Sequence, residues 1–192
     1  MTLYLIIIAV ANIIIDLLVS IFTDYLWYQV AFWTALSTLV AFLIDLILAI
    51  VIRKLPEKWF NPNKKIFHIY NFEKRLYEFI GVKKFKDHVP ELGKYSGFRK
   101  NRVTDPKNPE YLYRFMMECC YGEVIHLISV PIGVLAGFCM PMGLWLVSGL
   151  PVVIVNGILC ILPFLVLRYN RKKLSNLYRI LTKTHQKQKK SA

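Results

Sequence analysis

The sequence predicts an all-α membrane protein: four transmembrane helices arranged as two hairpins, a cytosolic interfacial loop of bases and aromatics, and a C-terminal amphipathic helix. Three observations predict it. Of the 192 residues 56% are hydrophobic, yet the formal net charge is +13. All 25 Lys and Arg residues fall in 53–114 and 168–190, and none in 1–52 or 115–167. The cation-free stretches are rich in Leu, Ile, Val and Phe, and each holds two spans of ~20 apolar residues. Runs this long without a charged outer face do not suit the amphipathic helices of a soluble core.

The first hairpin places spans at 3–22 and 28–52. The first span has no basic leader and no small-residue cleavage site, so it is expected to stay in the chain. Asn12 and Asp16 share one helical face, and Asp45 lies in the second span. A charge in a span costs roughly 2.5–3.5 kcal/mol on insertion scales, so such residues face the bundle interior. Two readings are open for them: a substrate or proton contact, or a hydrogen-bonded clasp between helices. Asp45 is expected to face other helices and not lipid.

Arg53 follows the second span and Arg168 the fourth. Lys and Arg collect on the cytosolic side of short loops. Residues 53–122, 168–192 and both termini are therefore expected in the cytosol, and the whole chain, 1–192, is read as one multi-pass domain of the cell membrane. Residues 53–122 interleave bases with Trp59, Phe60, Phe67, Tyr70, Phe72, Tyr77, Phe79, Phe85 and Phe98. That mixture suits a layer at headgroup level. Within it, 72–80 reads as a short amphipathic helix closed by Gly81. Pro90 ends the following basic run, and 93–108 reads as loop.

A helix start is written at Asn108-Pro109-Glu110: an N-cap, a first-turn proline and an acid that complements the dipole. This helix is expected to run on into span three, 123–143. It places Cys119, Glu123 and His126 on one face near the cytosolic surface. Span four is expected at 149–167, after the interruptions Pro131, Pro141, Gly143, Gly149 and Pro151. Beyond it Leu174, Leu177, Tyr178 and Leu181 repeat at helical spacing with bases opposite, an interfacial helix. The polar end, 183–192, is expected to lack order. The four cysteines, Cys119, Cys120, Cys139 and Cys160, lack CxxC spacing and read as small buried hydrophobes.

The chemistry suggested by these residues is modest until Glu123 and His126 are taken together. Three residues apart on a helix, their side chains can meet. A carboxylate that orients an imidazole makes a general base, and histidine titrates near ~6.5. The bland alternative is an interfacial histidine satisfied by a local acid. A single Glu-x-x-His with no second copy does not make a metal site, and no metal or cofactor is expected. Lys83, Lys84, Lys86, Arg168 and Arg171 are expected to form one basic wall, with Arg gripping an anion through two parallel bonds and Lys acting as a point charge; the bland alternative is plain attraction to the membrane surface.

Four local patterns carry a resemblance to a known family. They are Asn71-Phe72-Glu73; Val82-Lys83-Lys84-Phe85-Lys86-Asp87 with Pro90; Glu118 with Glu123-Val124-Ile125-His126; and Arg168-Tyr169-Asn170-Arg171 with Leu174 and Leu177. In order, spacing and placement the chain resembles the glycosyl-4,4'-diaponeurosporenoate acyltransferases, small membrane enzymes of staphyloxanthin-type carotenoid synthesis, over roughly residues 66–182. Trp usually stands in the family where Phe85 stands here, and the first hairpin is longer and more apolar. The resemblance implies transfer of a fatty acyl group to a sugar hydroxyl of a glycosylated lipid. Together with the residue chemistry above, it points to His126 and Glu123 as catalytic residues, and to Lys83, Lys86, Asp87, Arg168, Asn170 and Arg171 as substrate-binding ones. An acyl thioester such as acyl-CoA or acyl-ACP would be the co-substrate, its phosphates held by the basic layer. The partners are then membrane lipids, an amphiphilic glycolipid acceptor and the acyl donor, and not nucleic acid; no oligomeric state is implied. The membrane-acyltransferase pattern H-x4-D is absent, since Glu73 stands five residues after His68. Two rivals remain: a non-enzymatic four-span protein that binds lipid or acts as a scaffold, and another small membrane transferase such as a methyltransferase.

Overall fold

The computed structural model describes residues 2–89 and 103–191, and every regular element among them is helical. In order these are α1 (Thr2–Phe22), α2 (Trp27–Arg53), α3 (Asn71–Ile80), α4 (Val82–Phe85), α5 (Pro109–Gly133), α6 (Met142–Leu144) and α7 (Leu150–Ser191). Short 3-10 turns cover Glu57–Phe60 and Lys65–Phe67. Four helical stretches are long and apolar enough to cross a membrane: Tyr4–Phe22, Trp27–Arg53, Pro109–Cys139 and Met142–Thr184. Pro90 and most of the expected loop, 93–102, lie outside the described residues, as does the His185 side chain.

The chain divides into two compact units, to each of which α5 and α7 contribute residues. The first comprises 1–54 and 125–162. Its core is Ile15, Val19, Val30, Met140, Leu144 and Val152. Polar side chains stitch its apolar helices together. Asn12 and Thr38 exchange hydrogen bonds of 3.0 and 3.3 Å between α1 and α2, which favours the clasp reading of Asn12. Thr34 and Ser148 share one of 2.7 Å, and Ser37 donates to the Ala136 carbonyl at 2.8 Å. Asp45 turns toward a helix, as expected, and accepts a weak bond from the Cys160 thiol at 3.8 Å. Tyr4 donates to the Leu159 carbonyl at 3.3 Å. That carbonyl lies four residues before Pro163, which has no N–H to bond it, so the tyrosine supplies the missing donor. Outside this polar seam, Ile6, Ile13, Leu17, Leu39 and Leu46 are exposed, as side chains that meet acyl chains should be.

The link between the third and fourth spans departs from expectation. The α-helical part of α5 ends at Gly133, a 3-10 stretch runs through Val134–Cys139, and the chain turns at Met140 and Pro141. Met140 is extended, at φ −90° and ψ 152°, because a residue before proline is driven out of the helical region. A π-turn, Trp145–Gly149, then leads directly into α7. The span boundaries read as 143 and 149 are thus replaced by a break at Met140–Pro141, and Gly143, Gly149 and Pro151 sit inside helical turns. Three of the cysteines are buried, but Cys139, at this turn, is exposed.

The second unit comprises 55–124 and 163–192. Asn108 Oδ1 caps α5 by accepting from the Glu110 and Tyr111 amides at 3.0 and 3.2 Å. Leu112, Phe115, Met116 and Cys119 of α5 pack against Leu174 of α7, with Leu177 and Leu181 beside them. Gly122 lets the two helices approach: a Cβ there would stand 2.6 Å from Leu167 Cδ1. α7 does not stop at the end of the apolar run. It continues to Ser191, replacing both the separate interfacial helix and the unordered end expected from sequence. No Gly or Pro follows Pro163 to break it, and Lys, Arg, Leu and Gln are good helix formers whatever their charge. α3 ends at Gly81, whose φ of 75° is the left-handed cap conformation that glycine adopts without strain.

Candidate active site

The second unit contains a buried network of charge that three helices build. α3 supplies Glu73, α5 supplies Glu123, and α7 supplies Arg168 and Arg171. Glu73 is at the third position of α3, where its Oε1 accepts from the Tyr70 backbone N–H at 3.0 Å. This is the reciprocal half of a capping box, at a helix end that favours an anion. One turn on, the Tyr77 hydroxyl donates to Glu73 Oε2 at 2.7 Å. From α7, Arg168 donates to the same carboxylate through Nε at 2.6 Å and Nη2 at 3.0 Å, a two-pronged grip.

Arg168 has further work. Its Nη2 also donates to the His68 carbonyl at 2.9 Å, and its Nη1 reaches Glu123 Oε2 at 3.2 Å. Arg171 takes the rest of Glu123, with Nε on Oε1 at 2.5 Å and Nη2 on Oε2 at 2.9 Å. Its guanidinium also lies over the Phe67 ring, 5.6 Å from the centroid. Lys172 donates to the Ile69 carbonyl at 3.1 Å. Cations of α7 therefore hold the extended backbone at His68 and Ile69, just before α3 begins. The two guanidiniums and two carboxylates balance. Glu73, Glu123 and Arg171 are buried, at 7, 3 and 3% exposure, and charges so placed persist only when paired and hydrogen-bonded.

The electrostatics of Glu73 follow from its contacts. Burial pushes its carboxyl up, but hydrogen bonds from Arg168, Tyr77 and the Tyr70 amide outweigh burial and hold it at about 2. Tyr77 is pushed the other way, by burial and by its bond to the Glu73 carboxylate.

The residues singled out from sequence are distributed unevenly around this network. Arg168 and Arg171 do grip an anion through parallel bonds, but the anions are the protein's own carboxylates. Lys83 and Lys84 are exposed, and Lys86 pairs with its neighbour Asp87 at 3.0 Å. The spacing offered Glu123 to His126, but both Glu123 oxygens are bonded to arginine. His126 lies one turn further along α5, half-buried, and its ring makes no hydrogen bond among the described residues. Asn170 is 8% exposed, and its Nδ2 is buried without a partner among the described residues. Glu73 and Tyr77 were not singled out as site residues. The available signal was an acid at the third position of an amphipathic helix, with a tyrosine four residues on.

Such a cluster fixes geometry well. Its two carboxylates and two guanidiniums balance, both carboxylates are held by fixed donors, and it ties the segment before α3 to both long helices. A reacting group placed next to it would meet a preorganised polar surface rather than mobile side chains. Among the comparisons with known proteins, the family described as glycosyl-4,4'-diaponeurosporenoate acyltransferase matches residues 56–180. No curated protein and no solved structure matches the chain.

Proposed function

Because the chain belongs to the glycosyl-4,4'-diaponeurosporenoate acyltransferase family, we propose that this membrane acyltransferase of carotenoid biosynthesis acts at the cytosolic membrane surface. It moves a fatty acyl group from a thioester donor to a sugar hydroxyl of a glycosylated lipid. The C–S bond of the donor breaks, the ester C–O bond forms, and the hydroxyl proton passes to a base and then to the departing thiolate. We assign the base to His126, whose ring has no other hydrogen bond among the described residues. Glu123 acts one step back: it holds Arg168 and Arg171 instead of orienting the imidazole. Exposed Lys83 and Lys84 suit the phosphates of a carrier such as acyl-CoA or acyl-ACP, and the unclaimed amide of Asn170 is a neutral donor for substrate. Lys86 and Asp87, paired with each other, would shape the rim of that anion site.

The observation that carries the reading is that the family match covers every member of the buried network, from Glu73 to Arg171. The proposed topology is two hairpins in the cell membrane, with both termini and residues 53–122 cytosolic and the whole chain working as one membrane domain. The segregation of all 25 cations into two blocks supports it.

The test is purified protein with a radiolabelled acyl thioester and extracted glycolipid. Labelled ester is expected from the wild type and not from His126→Ala or His126→Gln. Normal turnover by a folded His126→Ala protein removes the histidine from the reaction. No labelled lipid from the wild type, with any glycolipid offered, sinks the acyl-transfer reading in favour of a lipid-binding scaffold.

A further inference from the structure

α3 has two unlike faces. Glu73 and Tyr77 are buried, and their contacts belong to the network just described. The other face carries Phe72, Leu76, Phe79 and Ile80, at 66, 46, 90 and 43% exposure. Positions 72, 76, 79 and 80 form one stripe at 3.6 residues per turn. Isolated exposed apolar side chains are ordinary, but four on one face of a ten-residue helix are not. Ile66, at 75%, and Tyr70, at 54%, add apolar surface immediately before the helix. A patch of this kind marks an interaction surface. Exposed cations accompany it: Lys64 and Lys65 on the preceding segment, Arg75 beside the stripe, and Lys83 and Lys84 directly after it.

We infer that this face is a docking surface for an anionic bilayer: α3 lies in the membrane plane with Phe72, Leu76, Phe79 and Ile80 at the acyl boundary and the cations among acidic headgroups. The chemistry selects lipid over protein. An apolar stripe flanked by lysine and arginine is the pattern that buries in the headgroup boundary and strengthens with anionic lipid. The aromatic residues Phe72, Phe79 and Tyr70 suit the same depth. Four helices among the described residues are apolar enough to span a membrane, so a bilayer is always at hand. The inference stands on the geometry of α3 and holds whatever reaction the protein catalyses.

The experiment uses the full chain in liposomes. In a Cys139→Ser background, Phe79→Cys and Glu78→Cys each carry an environment-sensitive fluorophore. Liposomes are phosphatidylcholine alone or mixed with phosphatidylglycerol. The label at 79 is expected to shift to the blue, lose quenching by aqueous iodide and gain quenching by bromine on the acyl chains. All three changes should grow with phosphatidylglycerol, while the label at 78 stays open to iodide. Equal iodide access at both positions overturns the proposal. So does iodide protection at 79 without bromine quenching, the result a second copy or another protein on this face would give.

Discussion

Glu73 and Arg168 are separated by 95 residues, yet they share two hydrogen bonds of 2.6 and 3.0 Å. Removing one member of a buried pair leaves the other charged and unmatched, which costs ~3–5 kcal/mol. The Arg168 side chain is 14% exposed and keeps its bond to Glu123, so the lower end applies. Glu73→Gln should therefore lower the unfolding midpoint in detergent. The pair Glu73→Gln/Arg168→Gln should lose clearly less than the two single losses added, the signature of coupling in a double-mutant cycle. Simple additivity would mean that the pair contributes nothing. Arg171→Lys keeps the charge but loses the fork, and should cost on the order of 1–2 kcal/mol as measured by the same unfolding midpoint. The pH dependence has a definite sign. Against the upward push of burial, contacts with Arg168, Tyr77 and the Tyr70 amide hold the folded Glu73 carboxyl at about 2, below its ordinary 4.5. Its contribution is whole above 4.5 and is lost as pH falls toward 2. Protection of the α3 amides, their exchange rate relative to the intrinsic rate at the same pH, should hold down to the upper limit and fall below it. The arginines and Glu123 were legible in the sequence as unusual residues near a membrane edge. Their partner Glu73 was legible only as one letter of a family pattern, because no periodicity reports a contact spanning 95 positions.

At the scale of the element, local chemistry was easier to read than its consequences. The Asn108 cap and the Gly81 stop are written in adjacent residues, so α5 begins and α3 ends where the sequence says. The turn at Met140–Pro141 was misplaced because that stretch holds too many breakers, and only packing selects among them. The extension of α7 was missed for a different reason. A change from apolar to basic residues marks the end of a span and the start of an interfacial helix in the sequence, whereas helix propensity ignores that change and joins the two. Two substitutions probe these elements. Gly81→Ala forces a Cβ into the left-handed region, so it should cost ~1 kcal/mol in thermal unfolding, with fraying confined to the end of α3. Gly122→Ala drives a Cβ to within 2.6 Å of Leu167 Cδ1. Leu167 must swing aside, which works against the ~1 kcal/mol that alanine gains over glycine inside a helix, so the net loss should be no more than ~1–2 kcal/mol, and Leu167→Ala in the same chain should recover part of it.

For the molecule as a whole, the membrane class was the most legible property, because it depends on sums over long stretches rather than on single contacts. Among the described residues, four apolar helices occur where two cation-free runs predict two spans each. The proposed sidedness is testable in intact cells with cysteines added one at a time. A site at Asp24 should react with an impermeant reagent, and sites at Lys94 and Lys187 should be protected. Labelling at Lys94 would reverse the topology and move the site to the other face.

The formal charge of +13 also conceals two populations that respond differently to dissolved ions. Exposed Lys64, Lys65, Lys83 and Lys84 face a solution in which fields fade over about 8 Å at physiological ionic strength. The guanidiniums locked against Glu73 and Glu123 are largely hidden from mobile counter-ions. Adding potassium chloride should therefore raise the KM for an anionic donor while the unfolding midpoint barely moves. Electrolyte concentration thus becomes a dial that turns down the outer cations and leaves the inner pairs untouched, with no residue changed.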